Sequence, residues 1–245
     1  MNSFPNRTAL LYIASSFTSS IGIIWAMGWL FLMTVTLPAA RAFSIMCSRH
    51  GIPDTPEVYQ VYHQINLELW NAFDRGEVTK EFVTLERYVR FLRALGSAED
   101  PAQCNADYLT ALGEGVYPLP HAEEVCRPLW ERGHRLYIVT NAVASVQRNR
   151  LNGSVFSGFI TDAFISEDAG ASKPSAAYYD YVRRCLPDLT AENCLVIGDS
   201  LATDIRGANN AGLPCCWFNP GGKPRPEDLR IDYEISDLRQ LLEIV

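Results

Sequence analysis

Two aspartates, Asp199 and Asp204, close the apolar run that opens "CLVIGDSLATDIRGANNAG". Gly198 just before them lets the backbone turn tightly and approach a ligand closely. Two carboxylates so placed make a hard oxygen site suited to Mg²⁺, which keeps several waters and meets substrate phosphates. The same residues also suit a plain helix start, with Asp199 or Ser200 as N-cap and Asp204 near the positive helix end. A second apolar run, "LYIVTN", ends in Thr140 and Asn141 directly before a helical pattern. A hydroxyl, an amide and free helix N–H groups form an anion site there, although Thr and Asn are favoured caps in any case. In "SEDAGASKPS", Lys173 is set between small residues and a proline, where it can neutralise a phosphate as a point charge. By itself it is an ordinary loop lysine, a residue type that is mostly exposed. The consecutive order Thr-Asn, Lys-Pro, Gly-Asp-x(4)-Asp carries more than any one member.

These residues need strands that end where they begin. Past Tyr117 short apolar runs ("HRLYIVTN", "AFISED", "NCLVIGDS", "PCCWFN", "YEIS") alternate with amphipathic stretches such as "HAEEVCRPLWERG" and "SAAYYDYVRRCL". That alternation predicts β-α-β units and a parallel sheet, which binds ligands beyond the carboxyl ends of its strands. From Gly51 to Gly115 the pattern is helical instead, with Val58, Val61, Ile65, Leu67 and Trp70 near three-to-four spacing and Gly96 as a helix end. The expected organisation is an atypical apolar segment over 1–42, a helical domain over 43–116 and an α/β domain over 117–245.

Composition narrows the functional classes. Of 245 residues, 48% are hydrophobic and 20% charged, which is globular rather than disordered. A net charge of −7 and a pI near 5.1 argue against a nucleic-acid polymer as partner. An anionic substrate therefore needs a metal or local positive charge to be drawn in. The seven cysteines include no C-x-x-C pair, which argues against zinc and a disulfide framework and for the reducing cytoplasm.

The three strand-end motifs, in this order over Tyr117 to about Asn219, resemble the second, third and fourth motifs of the haloacid dehalogenase superfamily. The helical segment before them resembles that superfamily's cap domain. "INLELWNAFDRGEVT" and "DAFISEDAGASKPSAAYYDYV" look like its pyrimidine 5'-nucleotidase branch. The resemblance implies a Rossmann-like parallel sheet with helices on both faces and an inserted helical cap. It implies Mg²⁺-dependent hydrolysis of small phosphate monoesters, nucleoside 5'-monophosphates in particular. Thr140 and Asn141 would hold the phosphoryl group, and Lys173 would neutralise its charge and that of the nucleophile. Asp199 would bind Mg²⁺ directly and Asp204 through water. Asn66 and Trp70 in the cap are weaker candidates for facing the substrate, and Trp70 reads rather as a cap-core aromatic. Ala142 stands where this branch commonly has Gly.

The superfamily's first motif, D-x-D-x-T, supplies an aspartate that attacks phosphorus and a second that serves as acid and base. Here the first Asp in the chain is Asp54. In the expected place stands "IGIIWAMGWLFLMTVTLP", within a stretch free of charge from Thr8 to Ala40. Three accounts compete. One is a membrane anchor or signal, since the run approaches the ~20 residues of a span. One is a pseudoenzyme whose first strand is "WLFLM" (29–33), with Thr34 and Thr36 as strand residues. The third is a displaced reading frame: the ATG of Met33 followed by the AC of Thr34 yields GAC, an obligatory Asp, and the following codons permit D-x-D-x-T. The expected function is thus a phosphatase-type hydrolase weakened by loss of its nucleophile. A non-catalytic binding protein, soluble or tethered, and a dehalogenase-like enzyme are the alternatives.

Overall fold

The computed structural model describes residues 22–25, 36–114 and 119–245. Six strands form one sheet in the order β3-β2-β1-β4-β5-β6. They are β1 (Gly22–Trp25), β2 (Arg135–Thr140), β3 (Ile160–Ile165), β4 (Cys194–Gly198), β5 (Cys215–Phe218) and β6 (Tyr233–Ile235). Every pairing is parallel. The central strands are continuous apolar runs because both faces of a parallel sheet are covered. Every residue of β4 and β5 is buried, as is all of β2 beyond Arg135.

The first described strand is "GIIW", Gly22–Trp25. The stretch "WLFLM", expected to supply the first strand, lies outside the described residues. Two β-branched isoleucines suit a strand paired on both sides. Trp25 stands opposite Ile138 on one side and Ile197 on the other. Thr36, read as a strand residue, instead opens a helix, α1 (Thr36–Arg49). The Met33–Thr34 step of the displaced frame also lies outside the described residues.

Two compact units are distinguished by their internal contacts. The first gathers the described residues of Met1–Phe31, Pro118–Ala144 and Val155–Val245; the second those of Leu32–Tyr117 and Ser145–Ser154. The first unit holds the sheet and its core, where Trp217, Tyr178, Tyr179, Val182 and Ile205 are buried together.

The second unit is helical: α1, α2 (Pro56–Asp74), α3 (Lys80–Leu95) and α4 (Pro101–Glu114) pack together, with α5 (Ala144–Asn152) largely within it. Thr55 and Thr79 cap α2 and α3 by accepting from the N–H groups of Val58 and Phe82. Gly96 ends α3 at φ +63°, with Ser97 N–H donating to Leu92 O, a left-handed stop that suits glycine. Phe43, Tyr62, Tyr88, Phe91 and Tyr108 form its aromatic interior. Arg87 is buried over Tyr88 and Tyr108 and donates to the side-chain oxygens of Asn66 and Asn105.

Candidate active site

In the sheet order, β1 lies between β2 and β4, so the connections run outward in opposite directions from this point. Such a reversal opens a crevice at the carboxyl ends of the strands. Thr140 ends β2, and Asp199 follows directly after β4. Each lies two residues past the partner of Trp25. The two strand ends therefore flank the end of β1 at one level.

Lys173 reaches the same place from the loop before α6 (Ala176–Cys185). Its Nζ donates to Val139 O at 2.9 Å and to Asp204 Oδ1 at 2.6 Å, and the two charged side chains are 2% and 3% exposed. The loop is held at its backbone. Asn141 Oδ1 accepts from Lys173 N–H at 2.9 Å, and Asn141 Nδ2 donates to Lys173 O at 3.0 Å. Asn210 Nδ2 donates to Pro174 O. Asn141 was expected on the phosphate; its side-chain amide is turned onto Lys173.

Asp204 is placed by a wide turn at Leu201–Ile205, where Ser200 O accepts from both Asp204 N–H and Ile205 N–H. Such π-type turns recur at functional sites. The turn returns Asp204 Oδ2 to Ser200 N–H at 3.1 Å. Gly198 is required by this arrangement: a Cβ there would lie 2.3 Å from Asp204 Cβ. Asp204 is thus engaged by Lys173 and Ser200 and not open as a primary ligand.

Asp199 is half-buried, and no other described residue donates to its carboxylate. Burial, then the negative charge of Asp204, push its carboxyl up to about 6, while Lys173 and Lys223 pull against them. A carboxylate raised by burial beside a second carboxylate is stabilised by a cation. Mg²⁺ bound through one protein carboxylate with retained waters fits this donor set. No group of three or more His, Cys, Asp or Glu able to hold a metal occurs among the described residues.

Thr140 is fully buried, and its Oγ1 accepts from Ala142 N–H at 3.0 Å. Its own N–H donates to the hydroxyl of Tyr178, which donates in turn to Phe164 O. One hydroxyl therefore bridges the ends of β2 and β3. Sequence reasoning missed Tyr178, because a tyrosine on an amphipathic helix carries no sign that its hydroxyl enters a sheet. The methyl of Ala142 is buried. Asn66 and Trp70 belong to the second unit: Asn66 is held by Arg87, and Trp70 packs edge-on to Phe73 at 5.5 Å.

A haloacid dehalogenase-like hydrolase family model matches residues 21–212. The chain belongs to that family. Its similarity to the putative HAD-hydrolase YfnB of Bacillus subtilis is 37% identity, covering 84% of this chain and 87% of that protein. The YfnB crystal structure, solved bound to magnesium, superposes with a TM-score of 0.82 at 34% identity over 92% of this chain and 99% of that one. The pyrimidine 5'-nucleotidase PynA of Streptococcus pneumoniae is 28% identical over 82% of this chain and 85% of its own length. YjjG of Escherichia coli, also a pyrimidine 5'-nucleotidase, is 27% identical over 80% and 86%. The haloacid dehalogenase-like fold, an α/β parallel sheet joined to many helices, is thus the fold of this chain. Among the described residues no helix is long and apolar enough to cross a membrane.

Proposed function

We propose that this haloacid dehalogenase-like hydrolase is built to take small phosphate monoesters with Mg²⁺, nucleoside 5'-monophosphates foremost, in the cytoplasm. The observation that carries the reading is the junction of Thr140, Lys173, Asp199 and Asp204 at the strand ends where the sheet order reverses. Asp199 would hold the metal, whose positive charge serves to neutralise phosphoryl oxygens there. Lys173, buried and fixed by Asn141 and Asp204, holds a positive charge at the same place. Thr140, at the end of β2, would offer its hydroxyl to a phosphoryl oxygen at these strand ends. The preference for nucleotides is supported by PynA and YjjG, both pyrimidine 5'-nucleotidases.

Transfer of the phosphoryl group to the protein needs a nucleophile, and no Asp precedes Asp54. The chain as written is therefore expected to bind these ligands and to hydrolyse them very weakly. A second reading, a non-catalytic binding protein on the same fold, is favoured by that same absence. A nucleotide panel assayed with Mg²⁺ separates the two. Turnover abolished by Asp199→Asn establishes the enzyme. Mg²⁺-dependent binding with no turnover establishes the binding protein, and neither binding nor turnover defeats both.

A further inference from the structure

Each of two strands at the carboxyl edge of the sheet is followed at once by an asparagine, and each asparagine grips the backbone of a lysine. After β2, Asn141 bonds the N–H and the C=O of Lys173 at 2.9 and 3.0 Å. After β5, Asn219 bonds the N–H and the C=O of Lys223, both at 2.9 Å. Asn219 is itself buried and is anchored by a further bond from its Nδ2 to Glu234. A left-handed Gly222, at φ +61°, turns the loop so that Lys223 returns to it.

The two lysines differ in what their ammonium groups meet. Lys173 is buried against Asp204, whereas Lys223 is exposed. The connection from β5 to β6 carries three cations. Arg225 is paired with Glu234 and Arg230 with Asp232, but Lys223 has no carboxylate partner among the described residues. β5 runs beside β4 with Trp217 opposite Gly198, so the loop leaves the sheet at the level of Asp199. The indole N–H of Trp217 donates to Asp199 O and ties the two strand ends together. A fixed backbone, an unpaired ammonium and this placement are the features of a ligand contact. A solvated loop lysine needs no buried asparagine to hold it.

We propose that Lys223 is a phosphate-contacting residue, meeting from the β5 loop the phosphoryl oxygens of a phosphate monoester whose inner side faces Lys173. The proposal rests on the phosphate-monoester reading above. It gives this acidic chain a second cation at the site, on the solvent side where the ligand enters.

The test is the binding of inorganic phosphate in the presence of Mg²⁺ to the full chain, by titration calorimetry. Variants are Lys223→Gln, Lys223→Arg and, on the same loop, Arg225→Gln. A charged hydrogen bond to phosphate predicts affinity ~10-fold weaker for Lys223→Gln, and within ~3-fold of the parent for Lys223→Arg and Arg225→Gln. Mg²⁺ binding without phosphate should not weaken in Lys223→Gln, which separates a ligand contact from damage to the site. Unchanged phosphate affinity in Lys223→Gln overturns the proposal alone. An equal loss in Arg225→Gln also overturns it, because loop charge would then suffice. No phosphate uptake by the parent chain defeats the phosphate-monoester reading and this proposal together.

Discussion

At the scale of single residues, the site depends on one buried ion pair. Lys173 and Asp204 are both withdrawn from water, so removing either leaves the other charge without compensation. Asp204→Ala is expected to lower stability by about 3–5 kcal/mol, read from the urea midpoint. Lys173→Met combined with Asp204→Leu should recover much of that loss, since an apolar pair needs no desolvation of charge. In the second unit, His50 is clasped by Glu99 at 2.7 Å and Asp107 at 2.9 Å, with its ring only 8% exposed. The bond to Glu99 first, and then Asp107 against the opposing effect of burial, raise its pKa above the ordinary 6.5. Bonds from Gln103, His50 and Arg49 lower that of Asp107. The raised histidine contributes stability in full below about pH 6.5 and loses it as pH rises through the folded value. The lowered aspartate contributes above its unfolded pKa, and its share is lost only in acid. The melting-temperature gap between the parent and His50→Ala should therefore be wide near pH 5.5 and narrow by pH 8.5. A gap independent of pH would show that the imidazole does not charge in this clasp.

At the scale of elements, strand ends and turns position these residues, and the sequence announces only some of them. β2, β4 and β5 were legible because central parallel strands are uninterrupted apolar runs. β3 was legible only from Ala163, since Thr161 and Asp162 are exposed polar residues at its start; Ser166–Asp168, read with the strand, belong to a short helix, Ser166–Ala169. The bridge by Tyr178 was not legible at all. Tyr178→Phe leaves Thr140 N–H and Phe164 C=O buried without that partner, at a cost of about 1–3 kcal/mol. The denaturation midpoint should fall by that amount with an unchanged m-value. An unchanged midpoint would mean that the two strand ends close on each other once the hydroxyl is gone.

At the scale of the whole molecule, this family hydrolase has no Asp ahead of Asp54, although the superfamily resemblance implies a nucleophilic aspartate before the helical segment. Its first strand is nevertheless paired on both sides, by β2 and by β4. Sequencing the transcript across Met33 decides whether a displaced frame encodes D-x-D-x-T. A chain translated in that frame should gain nucleotide turnover by ~10³-fold or more over the chain as written. If no displaced frame carries the motif, the frame account falls, and Mg²⁺-dependent binding without turnover is the outcome expected of the nucleotide panel.

The sequence by itself determined the class of fold, the helical run ahead of the strand-helix alternation, and the strand ends that carry Thr140 and Asp199. Hydrophobic periodicity and strand-end punctuation are local properties, and they survive in a linear reading. Only the tertiary structure decided what each of these side chains does. It turned Asn141 and Asn219 onto lysines 32 and four residues away. It engaged Asp204 with Lys173 rather than leaving it open. It also brought the start of the loop that carries Lys223 level with Asp199 by pairing β5 with β4. The bonds from Asn141 to Lys173, across 32 residues, depend on which strands lie side by side, and apolar periodicity does not encode that order.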